Sequence, residues 1–460
     1  MHLSHITTLL AALAGLSVST ASQGINCVHH RARAGDFMDG PAKMSADPLV
    51  HFDSPMVTVF NETVSENWSF DAASHDGKAS IVLYLTRGTV ASNIAAQRGL
   101  ISIAWANGTR YMENAFVDIS TLTTCQKTTT GTWTNDAGNI TWGFSASKDF
   151  KQSIATIESP TIKGTFKLKS RGPPIYPGGL VYPDSRASVL LAPEMYWQEQ
   201  FPVADAEVHL SIRGTPFDLY GVGGRDKNWN SRPWAAISGK WDMARAIAGP
   251  YGLMLWNYTS AVDGRPYFSA TLTKGTKVIF RTANQEPSCS ETYGTVILAK
   301  DGPVHLSSAP GTKSPLPKSR HTGYLIDLVS PKTDEHWHFA LDFSQTTFWF
   351  PASETLTVGQ FAGNVSGGLS SGIISKLCEI SYLSRVLPSG PIDTSSKASK
   401  IQCSLKLPFS VSWLIVPPAS MPKDLLEDQQ VELKSLCVCE SGIRMFWEYT
   451  PIWASQSSFS

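Results

Sequence analysis

Arg225, Asp226, Lys227 and Asn228 are consecutive, and they place two cations, a carboxylate and a carboxamide beside Gly221, Gly223, Gly224, Trp229 and Trp234. Such a set can donate hydrogen bonds to a carbonyl, or hold a proton on a carboxyl in an aromatic setting. The glycines allow close backbone approach. Gly221-x-Gly223-Gly224 is not a dinucleotide fingerprint, because Asp226 stands where the third glycine belongs and no helix start follows it. The structural alternative is an Asp226 ion pair with Arg225 or Lys227 that ties a β corner, with Trp229 as core.

Around this cluster lie Glu194, Tyr196, Trp197, Tyr220, Trp229, Trp234, Trp241 and Trp256, and five of the fourteen tryptophans fall between Trp197 and Trp256. Flat apolar rings in that density suit either a β core or the walls of a pocket for a bulky hydrophobic ligand. The four polar residues are the candidate catalytic set, and Glu194 with the aromatics is the candidate substrate-binding set.

Pro193-Glu194-Met195-Tyr196-Trp197, Pro202-Val203-Ala204-Asp205-Ala206-Glu207-Val208 and Gly221-x-Gly223-Gly224-x-Asp226-x-x-Trp229 resemble the fungal Diels-Alderases of natural-product pathways. That family is itself similar to the hydroxyneurosporene synthase (carotenoid hydratase) superfamily of paired lipocalin-like domains. The resemblance spans about residues 30 to 370 and returns at Thr322 to Val329. The decalin-forming members carry a His before the Asp and an aromatic before the Trp, where this chain has Arg225 and Asn228. The Arg-Asp-Lys-Asn-Trp version looks closer to the hydratase-like branch, which includes hetero-Diels-Alder enzymes of tropolone-sesquiterpenoid assembly.

The resemblance implies a pericyclase that folds a hydrophobic terpenoid or polyketide intermediate into one reactive conformation and needs no cofactor. Such catalysis rests on orientation and on donors aimed at an activating carbonyl. The runner-up is a hydratase in which a carboxylic acid protonates an alkene. There Arg225 and Lys227 are expected to depress the Asp226 pKa, which makes Glu194 the better acid. A non-catalytic terpenoid carrier is the third reading.

Lys+Arg 38 against Asp+Glu 38 leaves no net charge, which gives no electrostatic case for nucleic acid or an anionic membrane as partner. The expected partner is a small hydrophobic substrate; the oligomeric state is left open. The apolar run Leu9 to Val18 with Ser19-Thr20-Ala21 reads as a signal peptide over residues 1–21, implying the secretory pathway or an extracellular protein. Sequons at Asn61, Asn67, Asn107, Asn139, Asn257 and Asn364 are candidate glycosylation sites on that route. No later apolar run reaches membrane-spanning length, so no stable membrane anchor is expected. Of the seven cysteines, Cys27 with Cys125 or Cys125 with Cys289 could be bridged. Cys437-Val438-Cys439 lacks zinc-site spacing, and His336 and His338 would share a strand face without an evident third ligand, so no metal is expected.

Short alternating runs such as Ile81 to Leu85 and Val208 to Ile212, punctuated by Asn107-Gly108, Arg213-Gly214, Asp263-Gly264 and Lys274-Gly275, predict antiparallel hairpins. Helical periodicity is confined to Lys240 to Ala248. The expected fold is all-β, with two consecutive lipocalin-like sandwich or barrel domains and the site at their interface. The boundaries are 22–230 for the N-terminal domain and 231–372 for the C-terminal one. Residues 373–460 read as an atypical tail, with a disordered segment or a gene-model artefact favoured over a genuine appendage. Gly368-Leu369-Ser370-Ser371-Gly372 spells a nucleophile elbow without the helix that motif needs.

Overall fold

Alternating apolar residues and glycine turns fold this chain into antiparallel sheet almost throughout. The computed structural model describes residues 27–88, 97–300, 321–351, 357–370 and 407–416. The signal-peptide region, Ser371, Cys378, Cys403 and the Cys437–Cys439 pair lie outside the described residues.

In chain order the strands begin with β1 (Val28–Arg33), β2 (Lys43–Met44), β3 (Val57–Val59), β4 (Ser65–Ser74), β5 (Ser80–Gly88), β6 (Arg98–Ala104), β7 (Arg110–Phe116) and β8 (Ile119–Thr124). They continue with β9 (Thr128–Thr134), β10 (Thr141–Ser147), β11 (Gln152–Glu158), β12 (Ile162–Ser170), β13 (Leu190–Ala192), β14 (Met195–Ile212) and β15 (Thr215–Asn230). A single helical turn, α1 (Trp234–Ile237), leads to β16 (Ser238–Ala248), β17 (Tyr251–Ser260), β18 (Pro266–Lys274) and β19 (Lys277–Thr282). The last strands are β20 (Tyr293–Lys300), β21 (His321–Ser330), β22 (Glu335–Pro351), β23 (Thr357–Ser370) and β24 (Leu407–Val416).

The first sheet has thirteen strands in the order β1-β8-β9-β10-β11-β12-β14-β15-β4-β5-β6-β7, with β13 added on β14; the second has nine, in the order β19-β18-β17-β16-β24-β23-β22-β21-β20. Curling of the first sheet brings distant strands together, so Trp68 of β4 meets Trp133 of β9 edge-on at 5.5 Å and Phe70 lies 6.0 Å from Phe166 of β12. Gly108, Gly214, Gly264 and Gly275 take positive φ in the hairpin turns where the sequence places them. Cys27 is bridged to Cys125, beside the pairing of β1 with β8.

Two expectations are corrected. Lys240 to Ala248 is not helical: it lies in β16, where Trp241, Met243 and Arg245 alternate with Asp242, Ala244 and Ala246. The tail is also not wholly outside the fold, because Leu407–Val416 pairs antiparallel with both β16 and β23 and fills the middle of the second sheet.

β4, β5 and β6 and the second half of β15 are buried on both faces. One face lines the interior of the first sheet, with Trp68, Phe70, Phe144, Phe166 and Trp229 in its core. The other is covered by β16, β17 and β22 of the second sheet across an aromatic cluster that includes Tyr84, Trp197, Trp241, Trp256 and Phe348. This seam between the sheets is where the candidate residues divide.

Candidate functional site

Successive side chains of a strand point to opposite faces, so the four consecutive polar residues of β15 cannot act together. Arg225 and Lys227 point into the first sheet. Arg225 forms a buried ion pair with Asp53 and lies over the Phe144 ring at 4.2 Å. Lys227 pairs with Glu66 at 2.7 Å and lies 4.7 Å from the Trp68 ring, while Arg87 reaches the same Glu66 at 3.1 Å. Burial lowers the pKa of both Arg225 and Lys227, against the pull of their carboxylate partners. Trp229 shares this interior: it stacks on Tyr196 at 5.4 Å and donates its indole N–H to the Ser45 carbonyl.

Asp226 and Asn228 point the other way, into the seam. Arg245 of β16 crosses from the second sheet and brings its guanidinium to Glu199 at 2.9 Å, Asp71 at 3.3 Å and Asp226 at 3.6 Å, all four side chains being buried. Gly224 is required here, because a Cβ at that position would collide with the Arg245 guanidinium and the Phe201 carbonyl oxygen. Burial pulls the Arg245 pKa down, but the three carboxylates outweigh it and hold the group charged.

One guanidinium cannot balance three carboxylates at low dielectric, so protons are retained. Burial, opposed by Arg245 and reinforced by Asp71, pushes Asp226 up to about 7. Burial likewise raises Glu199 well above the usual carboxylate range against the opposing pull of Arg245. The expectation that Arg225 and Lys227 depress Asp226 therefore fails, since the pleat carries both to the opposite face. Tyr84 of β5 is in turn raised by burial and by the neighbouring Asp226 charge.

Cross-strand register arranges the seam face in rows. Asn228 lies opposite Asn67, and Asn67 opposite Thr86; Asp226 lies opposite Ser69, and Ser69 opposite Tyr84. The Thr86 hydroxyl donates to the Asn67 carbonyl oxygen at 2.7 Å, and the Asn67 amide donates to the Asn228 carbonyl oxygen at 3.2 Å. Asn67 is thus a buried member of this network with no room for a glycan, which corrects its reading as a glycosylation site. Trp197 of β14 continues the Asn228 row as its register partner and meets Trp256 of β17 edge to face at 5.0 Å, with Trp241 and Trp234 in contact at 4.7 Å. The indole N–H groups of Trp197, Trp256 and Trp241 are buried in this seam.

The remaining candidates fall elsewhere. Tyr220 is 59% exposed on the outer face of β15, beside His209, and does not reach the seam. Glu194, at positive φ in the turn before β14, is partly exposed and forms a bidentate pair with Arg232, which holds its carboxyl below the usual range. It cannot be the buried acid. His336 and His338 do share a face, and both bond Asp327 Oδ1, at 2.7 and 2.8 Å. Two hollows of about 410 and 420 Å³ open away from the seam, one beside His30 and Arg87 and one on the outer face beside Tyr220. The convergence of buried polar and aromatic groups favours the seam over both as the candidate site.

Arg245, Asp71, Glu199 and Tyr84 are site residues that the sequence reading misses. The lone charge of Arg245 within the otherwise apolar run Met243 to Ala248 is the signal that could have found it. Glu199 also stands out, as one of three consecutive polar residues, Gln198 to Gln200, in an otherwise apolar strand.

A curved all-β fold holds a buried polar and aromatic seam between its two sheets. The chain belongs to the Diels-Alderase-like family, which matches residues 26–373. It is 30% identical over 327 residues to Diels-Alderase poxQ of Penicillium oxalicum, covering 70% of each chain. It is 29% identical over 336 residues to Diels-Alderase cheD of Chaetomium globosum, covering 71% of this chain and 76% of that one. The crystal structure of CghA with Sch210972 shares the fold, with a TM-score of 0.65 at 18% identity over 85% of this chain and 99% of CghA. The family places the chain among the Diels-Alderase-like cyclases, pericyclases of fungal secondary metabolism.

Proposed function

We propose that the seam binds a hydrophobic terpenoid or polyketide intermediate and directs a stereoselective intramolecular [4+2] or hetero-[4+2] cyclisation, for which a tropolone-sesquiterpenoid is one substrate type. The observation that carries this reading is Asp226: a carboxyl poised near pH 7, on the same face as Asn228 and opposite Trp197, Trp241 and Trp256. In its neutral form Asp226 donates a hydrogen bond to the carbonyl that activates the dienophile, and the aromatic walls hold the chain folded. Two σ bonds form at the expense of two π bonds, and no atom is gained or lost. Orientation can supply roughly 7 to 11 kcal/mol in favourable cases, and one placed donor roughly 3 to 4 kcal/mol. The relatives named Diels-Alderases support the chemistry, and the departure at Asn228, on the seam face, supports a substrate outside the decalin series.

A second reading draws on the same residue. A neutral Asp226 can also protonate an alkene, and water capture of the cation would make the protein a hydratase. The deciding experiment is metabolite profiling of a strain lacking the gene, followed by addition of purified protein to the compound that accumulates. A single isomer of unchanged mass supports the cyclase, a product heavier by water the hydratase, and tight binding without conversion a carrier. Export through the secretory pathway is proposed alongside, supported by the apolar run at Leu9 to Val18 and by the Cys27–Cys125 bridge, which suits an oxidising compartment.

A further inference from the structure

Three buried cations inside the first sheet, Arg87, Arg225 and Lys227, have two carboxylates between them among the described residues. Asp53 pairs with Arg225. Glu66 takes both of the others, Lys227 on Oε1 at 2.7 Å and Arg87 on Oε2 at 3.1 Å. One positive charge is left over, and a charge taken out of water without a counter-charge is costly. The excess falls at Arg87, whose Nε donates to Ser120 Oγ at 3.2 Å and whose Nη2 donates to no described residue.

Arg87 also lines the hollow of about 410 Å³ beside β1 and β3, a size in the range of small-molecule sites. It is 2% exposed and lies at the floor, whereas Arg31 and Asp36 stand at the exposed rim. His30 of β1 lines the same hollow. Burial and the charge of Arg87 lower its pKa, so at neutral pH it is an uncharged imidazole with one N–H to give. The outer wall is apolar: Phe37 and Met38 are exposed there, on a loop held by the Met38 N–H on the Phe60 carbonyl at 2.9 Å. The Phe60 ring lies 5.1 Å from the Arg87 guanidinium. This hollow is apart from the seam, because Thr86 faces the seam through Asn67 and strand alternation turns Arg87 to the opposite side of β5.

We propose that the hollow is a second binding site, which takes a medium-chain aliphatic carboxylate. Its head meets Arg87 and the His30 N–H, and its chain lies against Phe37 and Met38. With that ligand in place each cation has an anion of its own: Asp53 for Arg225, Glu66 for Lys227 and the ligand for Arg87. A carboxylate suits the site better than a phosphate, because one guanidinium edge meets it and a dianion would restore the imbalance with the opposite sign.

The test uses the full-length protein and two saturated probes of equal chain length, octanoate and octanamide, titrated by calorimetry at neutral pH. Octanoate should bind at least about tenfold more tightly than octanamide, the worth of one charge-assisted hydrogen bond. Arg87→Met should abolish that preference and still fold, because Glu66 keeps Lys227. Val59→Trp fills the hollow from a half-buried lining position and leaves every charge in place, so it decides the matter independently of how Arg87→Met folds. It should abolish the preference as well. Asp226→Asn, on the seam face, should leave it unchanged. Equal affinity for the two probes in wild type, a preference that survives Arg87→Met or Val59→Trp, or one that disappears in Asp226→Asn would overturn the assignment. The last of these would put the carboxylate in the seam instead.

Discussion

Arg225 and Asp226 are joined by one peptide bond and serve different interiors. The Arg225 guanidinium lies over the Phe144 ring inside the first sheet, whereas the Asp226 carboxylate lies 3.6 Å from Arg245 in the seam. This division separates a structural ion pair from a titratable group, and their variants should behave differently.

If neutral Asp226 is the donor, kcat/KM should fall as pH rises through about 7, the value to which burial raises this carboxyl. Asp226→Asn keeps an N–H donor and should flatten the pH profile while retaining much of the rate. Asp226→Ala should lose roughly 10²- to 10³-fold, the cost of removing one placed donor. The check is the pH dependence of kcat/KM for the three proteins. A profile unchanged in Asp226→Asn would remove Asp226 from the chemistry.

Asp226 also links stability to pH in the direction opposite to a salt-bridged aspartate. Its folded pKa lies above the ordinary aspartate value, so between about 4 and about 7 the folded state holds a proton that the unfolded chain has lost. Stability should therefore decline as pH rises across that window and level off above it. Urea unfolding at several pH values should show the slope in wild type and a smaller one in Asp226→Asn.

Arg225→Ala should destabilise the fold by roughly 3 to 5 kcal/mol, because it leaves Asp53 buried and unpaired. Lys227→Ala should do less harm, since Arg87 still faces Glu66. Neither should selectively lower the turnover of folded protein. Denaturant midpoints measured beside kcat separate the two effects, and a rate loss without a stability loss would return these cations to the catalytic set.

Glycopeptide mapping of secreted protein should find Asn67 unmodified, because its side chain is buried between Asn228 and Thr86. Asn107 and Asn139 are exposed and available. A glycan on Asn67 would contradict the packing of β4 against β15.

The hairpins were legible because glycine turns and period-two alternation are local signals, as at Arg213-Gly214 between β14 and β15. The aromatic density around Trp197, Trp241 and Trp256 likewise marked a region that the fold brings together. The two faces of β15 were harder to read, because adjacency in sequence hides the pleat that sends Arg225 and Lys227 away from Asp226. Arg245 was missed because a stretch buried on both sides shows no clean alternation of hydropathy and passed for helix. Asp71 and Glu199 matter through their partner Arg245, which only tertiary contacts establish.

β24 gives the second sheet an order of assembly. The strands from β16 to β19 and those from β20 to β23 are joined in the sheet through Leu407–Val416, so hydrogen bonding across its middle cannot finish until that late segment has left the ribosome. Until then β16, which carries Arg245 into the seam, presents an unpaired edge. Completion of the candidate seam thereby waits on the synthesis of Leu407–Val416, and a chain lacking that segment would be expected to make the first sheet and leave the second one split.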